Sequence, residues 1–307
     1  MKITRRTALF SAAAMPAAAV APRLSASVAP ITDPLLAYSF KLGEMRVATL
    51  LDATSMREGP KAFFGGDATD AEFARLSEEN FIPADRVQMP FTPMLVDTGS
   101  ELVLFDTGLG QGGLLKSLAA AGIQAGQIDV VVITHMQPDH IGGLMTEGVP
   151  AFPNARYVTG SIEHNFWSTE GANTPIGQLV AQKVAPLAGK MSFLDDGGAV
   201  SGGITAVASF GHTPGHMCYM LESGGRQLML AADLANHYVW SLAYPDWEVR
   251  FDTDKAMAAA SRRKVLDMLA TDKVPFIGYH MPFPGVGYAE TRDDGFKFVP
   301  TSYQLML

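Results

Sequence analysis

Short apolar segments rich in valine, isoleucine and other β-forming residues recur along the chain and predict a series of strands. The predicted strands lie at residues 45–51, 92–97, 101–106, 129–134, 156–159, 204–210, 217–222, 227–232 and 274–279. Between the second and third of these, Asp97-Thr98-Gly99-Ser100 predicts a hairpin turn, because Gly99 can adopt a positive φ at little cost.

Three segments show the helical spacing of apolar residues, at positions 113–121, 174–187 and 254–269. The strands come in groups with helices between the groups, which predicts an α/β protein with two sheets packed face to face and helices outside. No linker interrupts the pattern, so we expect a single domain over residues 31–307. In the last helix the predicted inward face carries Met257, Ser261, Val265, Met268 and Leu269.

The N-terminal segment, residues 1–30, predicts a cleavable export signal followed by a short linker. Lys2, Arg5 and Arg6 precede an apolar stretch at residues 8–21, and small residues follow at 25–27. The paired arginines and the residues around them resemble a twin-arginine signal, which exports proteins that have already folded. We therefore expect a periplasmic or secreted protein.

Charge and composition exclude several classes of function. The 307 residues include 23 basic and 31 acidic side chains, a net charge of −8, and removal of residues 1–26 takes away four basic residues and makes the net charge −12. Such a chain is a poor ligand for a phosphate backbone, so we expect no nucleic-acid partner. After the signal, no segment has the ~20 uninterrupted apolar residues needed for stable membrane insertion. A single cysteine, Cys218, excludes an internal disulfide framework and a thiolate metal cluster.

Histidines and carboxylates follow four of the apolar segments. Alternate residues of an extended segment point the same way, so positions 135, 137 and 139 can converge. One strand-end histidine is more often structural than a ligand, but four such strand ends favour a site for Zn²⁺ or a similar transition metal. The residues concerned are His135, Gln137, Asp139, His140, His212, Asp233 and His280.

The order His135-x-x-x-Asp139-His140, followed by His212, Asp233 and His280, resembles the metallo-β-lactamase superfamily. The resemblance implies an αβ/βα four-layer sandwich, with two mixed β-sheets packed face to face, helices on the outer faces and a metal site at the sheet edges. Within the superfamily, four segments are similar to methyl parathion hydrolase and its relatives: residues 133–144, 211–215, 280–287 and 296–303.

The resemblance also implies two metal positions with a shared ligand. Site one would consist of His135, position 137 and His212, and site two of Asp139, His140 and His280, with Asp233 bridging both. The family has histidine where this chain has Gln137, whose amide oxygen is a weaker donor to zinc than an imidazole nitrogen. We expect site two with Asp233 to be the stronger site, and site one to be weak, differently metallated or empty. The alternative is that Gln137 binds metal through its oxygen and nothing else changes.

The implied cofactor is one or two zinc ions, with manganese, iron or cobalt as alternatives. The implied activity is hydrolysis of a small ester, lactone or phosphotriester by a metal-activated hydroxide, with Asp233 and Asp139 as catalytic residues. Alternative functions are a lactonase for signalling lactones, a β-lactamase, or a non-catalytic binding protein that retains the fold. Gln137 is the one feature that favours the last of these.

Predictions for the substrate pocket rest on fewer residues. In the relatives, a tryptophan at the position of Trp167 lines the leaving-group pocket, although a helix aromatic can equally belong to the core. His237 and Trp240 belong to an aromatic-rich segment that could line an apolar pocket or form a homodimer contact. We expect His216 to support the ligands or the fold, and Asp106 to fix a loop.

Overall fold

Two seven-stranded sheets form the centre of the protein in the computed structural model, which describes residues 35–302. The predicted export signal lies outside the described residues. The strands are β1 (Ala37–Leu42), β2 (Met45–Leu50), β3 (Ala53–Glu58), β4 (Arg86–Phe91), β5 (Met94–Asp97), β6 (Leu102–Phe105), β7 (Val130–Ile133), β8 (Met145–Thr146), β9 (Val149–Pro150), β10 (Arg156–Gly160), β11 (Met191–Leu194), β12 (Ala199–Ser201), β13 (Ile204–Ala208), β14 (Met217–Ser223), β15 (Arg226–Ala232), β16 (Phe276–Gly278), β17 (Val286–Arg292) and β18 (Gly295–Pro300). The helices are α1 (Asp70–Glu79), α2 (Gly113–Ala120), α3 (Pro138–Ile141), α4 (Ser161–Ser168), α5 (Pro175–Lys183) and α6 (Lys255–Asp272).

Both large sheets are mixed. The first has the order β1-β2-β5-β6-β7-β10-β11, with parallel pairing from β6 through β11, and the second runs in chain order from β12 to β18 with one parallel pair, β15 and β16. The hairpin between β5 and β6 forms as predicted, with Gly99 at φ 84°. The predicted fold class, two mixed sheets with helices outside, is confirmed.

Strand β7 shows why its sequence is a continuous apolar run. Val130 and Val132 pack in the core that includes residues of both sheets, whereas Val131 and Ile133 pack in the cluster that includes residues of α2, α4 and α5. A strand covered on both faces needs apolar side chains at every position. Helix α6 covers the outer face of the second sheet, so the layers follow the order helix, sheet, sheet, helix. No helix in residues 35–302 has the length and hydropathy to cross a lipid bilayer.

The inward face of α6 differs from the prediction. Met257 is 46% exposed, whereas the helix buries Ala258, Arg262, Val265, Leu266 and Leu269. The spacing of apolar residues predicts that arginine lies on the outer face of the helix. It does not reveal that Arg262 donates hydrogen bonds to acceptors inside the protein. The basic residue therefore belongs to the buried face of the helix.

The two-stranded ribbon β3–β4 and helix α1 were not among the predicted elements. They form a separate apolar cluster with the segment that follows β15, in which Phe73 and Met89 pack with Phe64 and Trp240. Residues of this ribbon, Met89 and Phe91 among them, line a cavity that also contains residues of the predicted metal site. The ribbon thus forms one wall of that cavity.

Candidate metal centre

The predicted ligands converge because strands from both sheets end at one place. In the first sheet, β7 leads to His135 and then to α3, whose first residue is Pro138 and whose single turn carries Asp139 and His140. In the second sheet, His212 follows β13, Asp233 follows β15 and His280 follows β16. The sequence motif and three distant strand ends therefore meet in space.

Four residues predicted for site two form one cluster. The imidazole Nε2 of His140 lies 3.3 Å from Asp233 Oδ1 and 3.5 Å from Asp139 Oδ2. The Nε2 atom of His280 lies 3.1 Å from Asp233 Oδ2 and 3.4 Å from Asp139 Oδ2. One ligand atom from each residue falls within 4.8 Å of the others. This spacing suits four donors around one cation.

A second cluster contains His135, His212 and Asp233, again with ligand atoms within 4.8 Å of one another. His212 Nε2 lies 3.4 Å from Asp233 Oδ2. Asp233 belongs to both clusters, which is the arrangement that the resemblance implies for a bridging carboxylate. The ligand role of each residue stays a prediction.

The donor atoms satisfy a direct test of fit to a metal ion. Among the described residues, the Nε2 atoms of His135, His140 and His212 and the Oδ1 atom of Asp233 are buried and have no hydrogen-bond partner. A buried polar atom without a partner costs ~1–3 kcal/mol. A cation bound between these atoms would remove that cost, and nitrogen and carboxylate oxygen are the donors that zinc prefers in proteins.

Hydrogen bonds at Nδ1 fix the ring orientation of three of the histidines. His140 Nδ1 lies 2.8 Å from Asp106 Oδ2, and His212 Nδ1 lies 2.9 Å from Asp252 Oδ1. His280 Nδ1 lies 2.8 Å from the carbonyl oxygen of Pro90. Because these oxygens accept, each Nδ1 carries a hydrogen, and Nε2 is the atom whose lone pair is left for a metal once any proton on it has been displaced. Asp106, which also accepts from Thr134, orients a ligand as well as fixing a loop.

Protons compete with a cation for site two. Burial alone would lower the pKa of His280, but Asp233 and Asp139 raise that pKa to about 10. Burial likewise opposes ionisation of His140, but Asp233 and two further carboxylates raise its pKa well above the usual range. Both imidazoles therefore hold protons at neutral pH in the metal-free chain, and a metal must displace them.

We expect the zinc affinity of site two to rise between about pH 6 and pH 8. Each proton displaced per ion makes the affinity about tenfold stronger per pH unit. Competition against a chromophoric chelator of known proton affinity measures this dependence. An affinity that does not change with pH would contradict the protonated state assigned to these histidines.

Gln137 makes a contact that the sequence did not predict. Its side-chain Nε2 donates to the carbonyl oxygen of Phe251 at 3.1 Å. The amide nitrogen is thereby engaged, and Oε1 is the atom left to face a metal. Gln137 also lines the cavity beside Asp139 and Asp233.

His216 holds the backbone of the shared carboxylate residue. Its Nε2 accepts from the main-chain N–H of Asp233 at 3.1 Å, and its Nδ1 lies 2.9 Å from Ser209 Oγ. Burial and the neighbouring His212 lower the pKa of His216 to about 3, so the ring is neutral. This is the supporting role expected from the sequence.

The three predicted pocket residues do not line the cavity next to the ligands. Trp167 packs between the first sheet and its helices and donates from Nε1 to the buried carboxylate of Glu163. Trp240 stacks on Phe73 at 4.9 Å and donates to Ser77. His237 stacks on Trp240 and accepts two main-chain N–H groups of its own turn. The indole nitrogens of Trp167 and Trp240 and the Nδ1 atom of His237 have partners inside the fold, and all three side chains are buried. The structure therefore places these residues in the core and not in the lining of this cavity, and the prediction is corrected.

The cavity has a volume of about 240 Å³ and a lining that the sequence did not single out. Its walls come from β3, β4, α3 and the segments after β6 and β15. Besides the predicted Gln137, Asp139, Asp233 and His280, the lining includes Arg57, Met89, Phe91, Leu109, Pro138, Asn236 and Phe251. Asn236 also donates to Asp233 Oδ2 at 2.8 Å. Its position three residues after Asp233 is the only sequence signal that could have identified it.

Glu163 joins the two loops that carry the histidines of site one. Its Oε1 accepts from the main-chain N–H of Met136, and its Oε2 accepts from Thr213 Oγ1 and the N–H of Gly215. Met136 follows His135 in the chain, and Thr213 follows His212. A fully buried carboxylate thus ties both loops together.

Glu163→Gln is expected to destabilise the metal-free protein by ~3 kcal/mol, because an amide group would face donors that need an acceptor. Urea unfolding of the metal-free chain measures the change. Glu170→Gln is the matched control, because it makes the same chemical change at an exposed position just after the same helix, and it should change the free energy of unfolding by less than ~0.5 kcal/mol. Equal effects of the two substitutions would contradict the role given to Glu163.

Comparison with known proteins agrees with this geometry. A family model described as the metallo-beta-lactamase superfamily matches residues 92–275. A 69-residue segment is 45% identical to the uncharacterized protein C03F11.2 of Caenorhabditis elegans, but the match covers only 22% of this chain and 18% of that protein.

Two solved structures align over nearly their whole length. AidC, a dizinc quorum-quenching lactonase in complex with a product, N-hexanoyl-L-homoserine, is 32% identical, with 88% of this chain and 99% of AidC covered and a TM-score of 0.79. The hydrolase AbOPH, of the beta lactamase superfamily, is 25% identical, with 87% and 97% covered and a TM-score of 0.80. The chain belongs to the metallo-β-lactamase superfamily and is a metal-dependent hydrolase.

Proposed function

We propose that the protein hydrolyses a lactone or a closely related small ester, using zinc held by the two clusters that share Asp233. The observation that carries the proposal is that these clusters lie beside a cavity with a largely apolar wall. The 32% identity to AidC, whose structure holds an acyl-homoserine product, supports a lactone over other esters.

The cavity provides two kinds of surface. Met89, Phe91, Leu109 and Phe251 offer apolar area for an acyl or alkyl group. Asp139, Asp233 and Asn236 offer oxygen and nitrogen atoms on the side of the ligand clusters. A substrate with an apolar tail and a reactive carbonyl matches this division.

The clusters would hold the metal, and the surrounding residues would position the reaction. A bound zinc ion supplies a nucleophile at neutral pH, by lowering the pKa of water to about 7, and polarises the bond to be cleaved. Asp233 faces both clusters, so its carboxylate can orient a water molecule and accept a proton from it. Asp139 has a side chain that is 15% exposed, whereas that of Asp233 is 1% exposed. Asp139 is therefore the better placed to take up the same proton and deliver it to the leaving group.

A phosphotriester is the second candidate substrate. Its support is the similarity of residues 280–287 and 296–303 to methyl parathion hydrolase, and we propose membership of that subgroup on this basis. In the structure the first of these segments starts at His280 and leads into β17, which pairs with β18. The two stretches are therefore neighbours, and one of them carries a ligand residue.

A substrate panel tests the proposal. Metal-free protein is reloaded with zinc, manganese, iron or cobalt and assayed on acyl-homoserine lactones, aryl esters, a paraoxon-type triester and a β-lactam. We expect the highest kcat/KM on a lactone. Turnover of the triester alone would replace the lactone assignment, and no turnover with any metal combined with tight binding of a small molecule would favour a non-catalytic binding protein.

We also propose that residues 1–30 export the folded protein to the periplasm or the medium. The support is the paired Arg5 and Arg6 ahead of the apolar stretch. Fusion of residues 1–30 to a reporter, with Arg5 and Arg6 both replaced by lysine as the comparison, tests the signal. Export that survives the double replacement would contradict the twin-arginine route.

A further inference from the structure

Arg262 is a fully buried cation on the inward face of α6, far along the chain from the ligand motif. Its Nε donates to the carbonyl oxygen of Leu234 at 2.9 Å, its Nη1 to the carbonyl oxygen of Pro245 at 2.6 Å, and its Nη2 to Asp252 Oδ2 at 2.8 Å. A buried charge is retained only when its hydrogen bonds are satisfied and a countercharge is near. Arg262 meets both conditions.

Two of the three acceptors lead to the metal centre. Leu234 directly follows Asp233, so the guanidinium fixes the main chain next to the shared carboxylate. Asp252 uses its other oxygen to accept from His212 Nδ1 at 2.9 Å. The guanidinium, carboxylate and imidazole form a chain of charge-assisted hydrogen bonds that ends at a site-one ligand.

The main chain around Asp252 strengthens this connection. The N–H of Thr253 donates to the carbonyl oxygen of His212, and the N–H of Asp254 donates to that of Gly211, both at 2.9 Å. The preceding residue, Phe251, accepts the amide of Gln137. Residues 251–254, which we name the site-one strap, therefore contact both the ligand loop and the position where the family histidine is replaced.

Gly211 shows how closely the ligand loop lies against α6. Its φ is 124°, and a Cβ atom there would come within 2.1 Å of the main-chain nitrogen of Ala258. The loop before His212 and the first turns of α6 thus pack with no space for a side chain. The site-one strap and α6 therefore both pack directly against the loop that carries His212.

We propose that Arg262 is a positioning residue for site one, which acts through Asp252 to aim His212 Nε2 at the cluster with His135 and Asp233. The inference rests on the proposed metal centre. Site one depends on this support because Gln137 stands in place of its third imidazole. The alternative is a purely structural role, in which Arg262 anchors residues 234–252 and has no selective effect on metal binding.

The test measures zinc affinity at each site by titrating metal-free protein against a chromophoric chelator. His135→Ala identifies the site-one step as the one that it abolishes. Arg262→Lys, Asp252→Asn and the charge-neutral double variant Arg262→Met/Asp252→Asn are compared with the parent. Arg263→Gln is the matched control, because Arg263 is the neighbouring arginine on α6 and pairs with Asp246 at the surface.

We expect each of these Arg262 and Asp252 variants to weaken zinc binding at site one by about 10–100-fold, the loss typical when the hydrogen-bond partner of a ligand is removed. Site two should change less than about threefold, and Arg263→Gln should leave both steps unchanged. If the parent takes up a single ion, the same series is measured in the Gln137→His background, where site one has its third imidazole.

Parental affinity at site one in a folded Arg262 or Asp252 variant would overturn the proposal, and so would equal losses at both sites. Should single variants fail to fold, the double variant decides, because it leaves no unpaired buried charge. A parent that binds no metal, alone or with Gln137→His, would instead contradict the metal centre itself. The two failures are therefore distinguishable.

Discussion

Asp233→Ala is expected to abolish metal binding at both sites and to lower turnover by about a thousandfold or more. The carboxylate is the only residue common to the two clusters among the described residues, with one oxygen 3.3 Å from His140 Nε2 and the other 3.4 Å from His212 Nε2. A bound metal contributes several kcal/mol of transition-state stabilisation, and its loss translates directly into rate. Elemental analysis and kcat/KM on the best substrate measure the two effects together.

Asp246→Ala is the control, because it removes a carboxylate that pairs with Arg263 at the surface and leaves the centre intact. Asp233→Asn adds a finer comparison, since it keeps the shape of the side chain and removes its charge. Retention of two zinc ions, or of parental turnover, in Asp233→Ala would contradict the assignment of the bridging carboxylate.

Gln137→His is expected to give the second large effect, this time a gain. The imidazole supplies a third nitrogen donor, in addition to those of His135 and His212, beside the carboxylate of Asp233 at site one. We therefore expect the zinc affinity of site one to rise by about a hundredfold or more. The substitution removes the hydrogen bond to Phe251, which is worth only ~1 kcal/mol. Stepwise zinc titration of the metal-free variant measures the change.

Gln137→Leu separates the two interpretations of the natural residue. If Gln137 binds metal through its oxygen, leucine weakens site one; if Gln137 only ties the loop to Phe251, leucine leaves the metal affinity of site one nearly unchanged. Parental site-one affinity in Gln137→His would show that position 137 does not reach the cation at all.

The sequence was sufficient to predict the elements that deliver the ligands. Strands β7 and β16, and β15 from Leu228 onward, are apolar because both faces are covered, and such runs are easily recognised. Each is followed within a few residues by a histidine or an aspartate, so local pattern and chemistry coincide. The paired sheets followed from the grouping of strands and helices.

The supporting residues could not be predicted, because their partners are distant in the chain. Arg262 looks like part of an exposed basic run, and Asp252 lies 40 residues from the histidine it orients. The β3–β4 ribbon contains arginine, serine and proline in place of a strict alternation, so no strand signal stands out. Trp167 and Trp240 were expected at the pocket, but their polar ring atoms find partners in the core.

A carboxylate common to both clusters makes their loading a pair of linked equilibria. Once a first ion has bound Asp233, a second ion would bind a carboxylate that is already ordered but whose negative charge the first ion has partly neutralised. With site one as the weaker site, as we propose from Gln137, the catalytic rate would follow the free zinc concentration around the protein instead of the total amount of enzyme. With the export proposed above, that dependence would couple activity to the metal content of the surroundings.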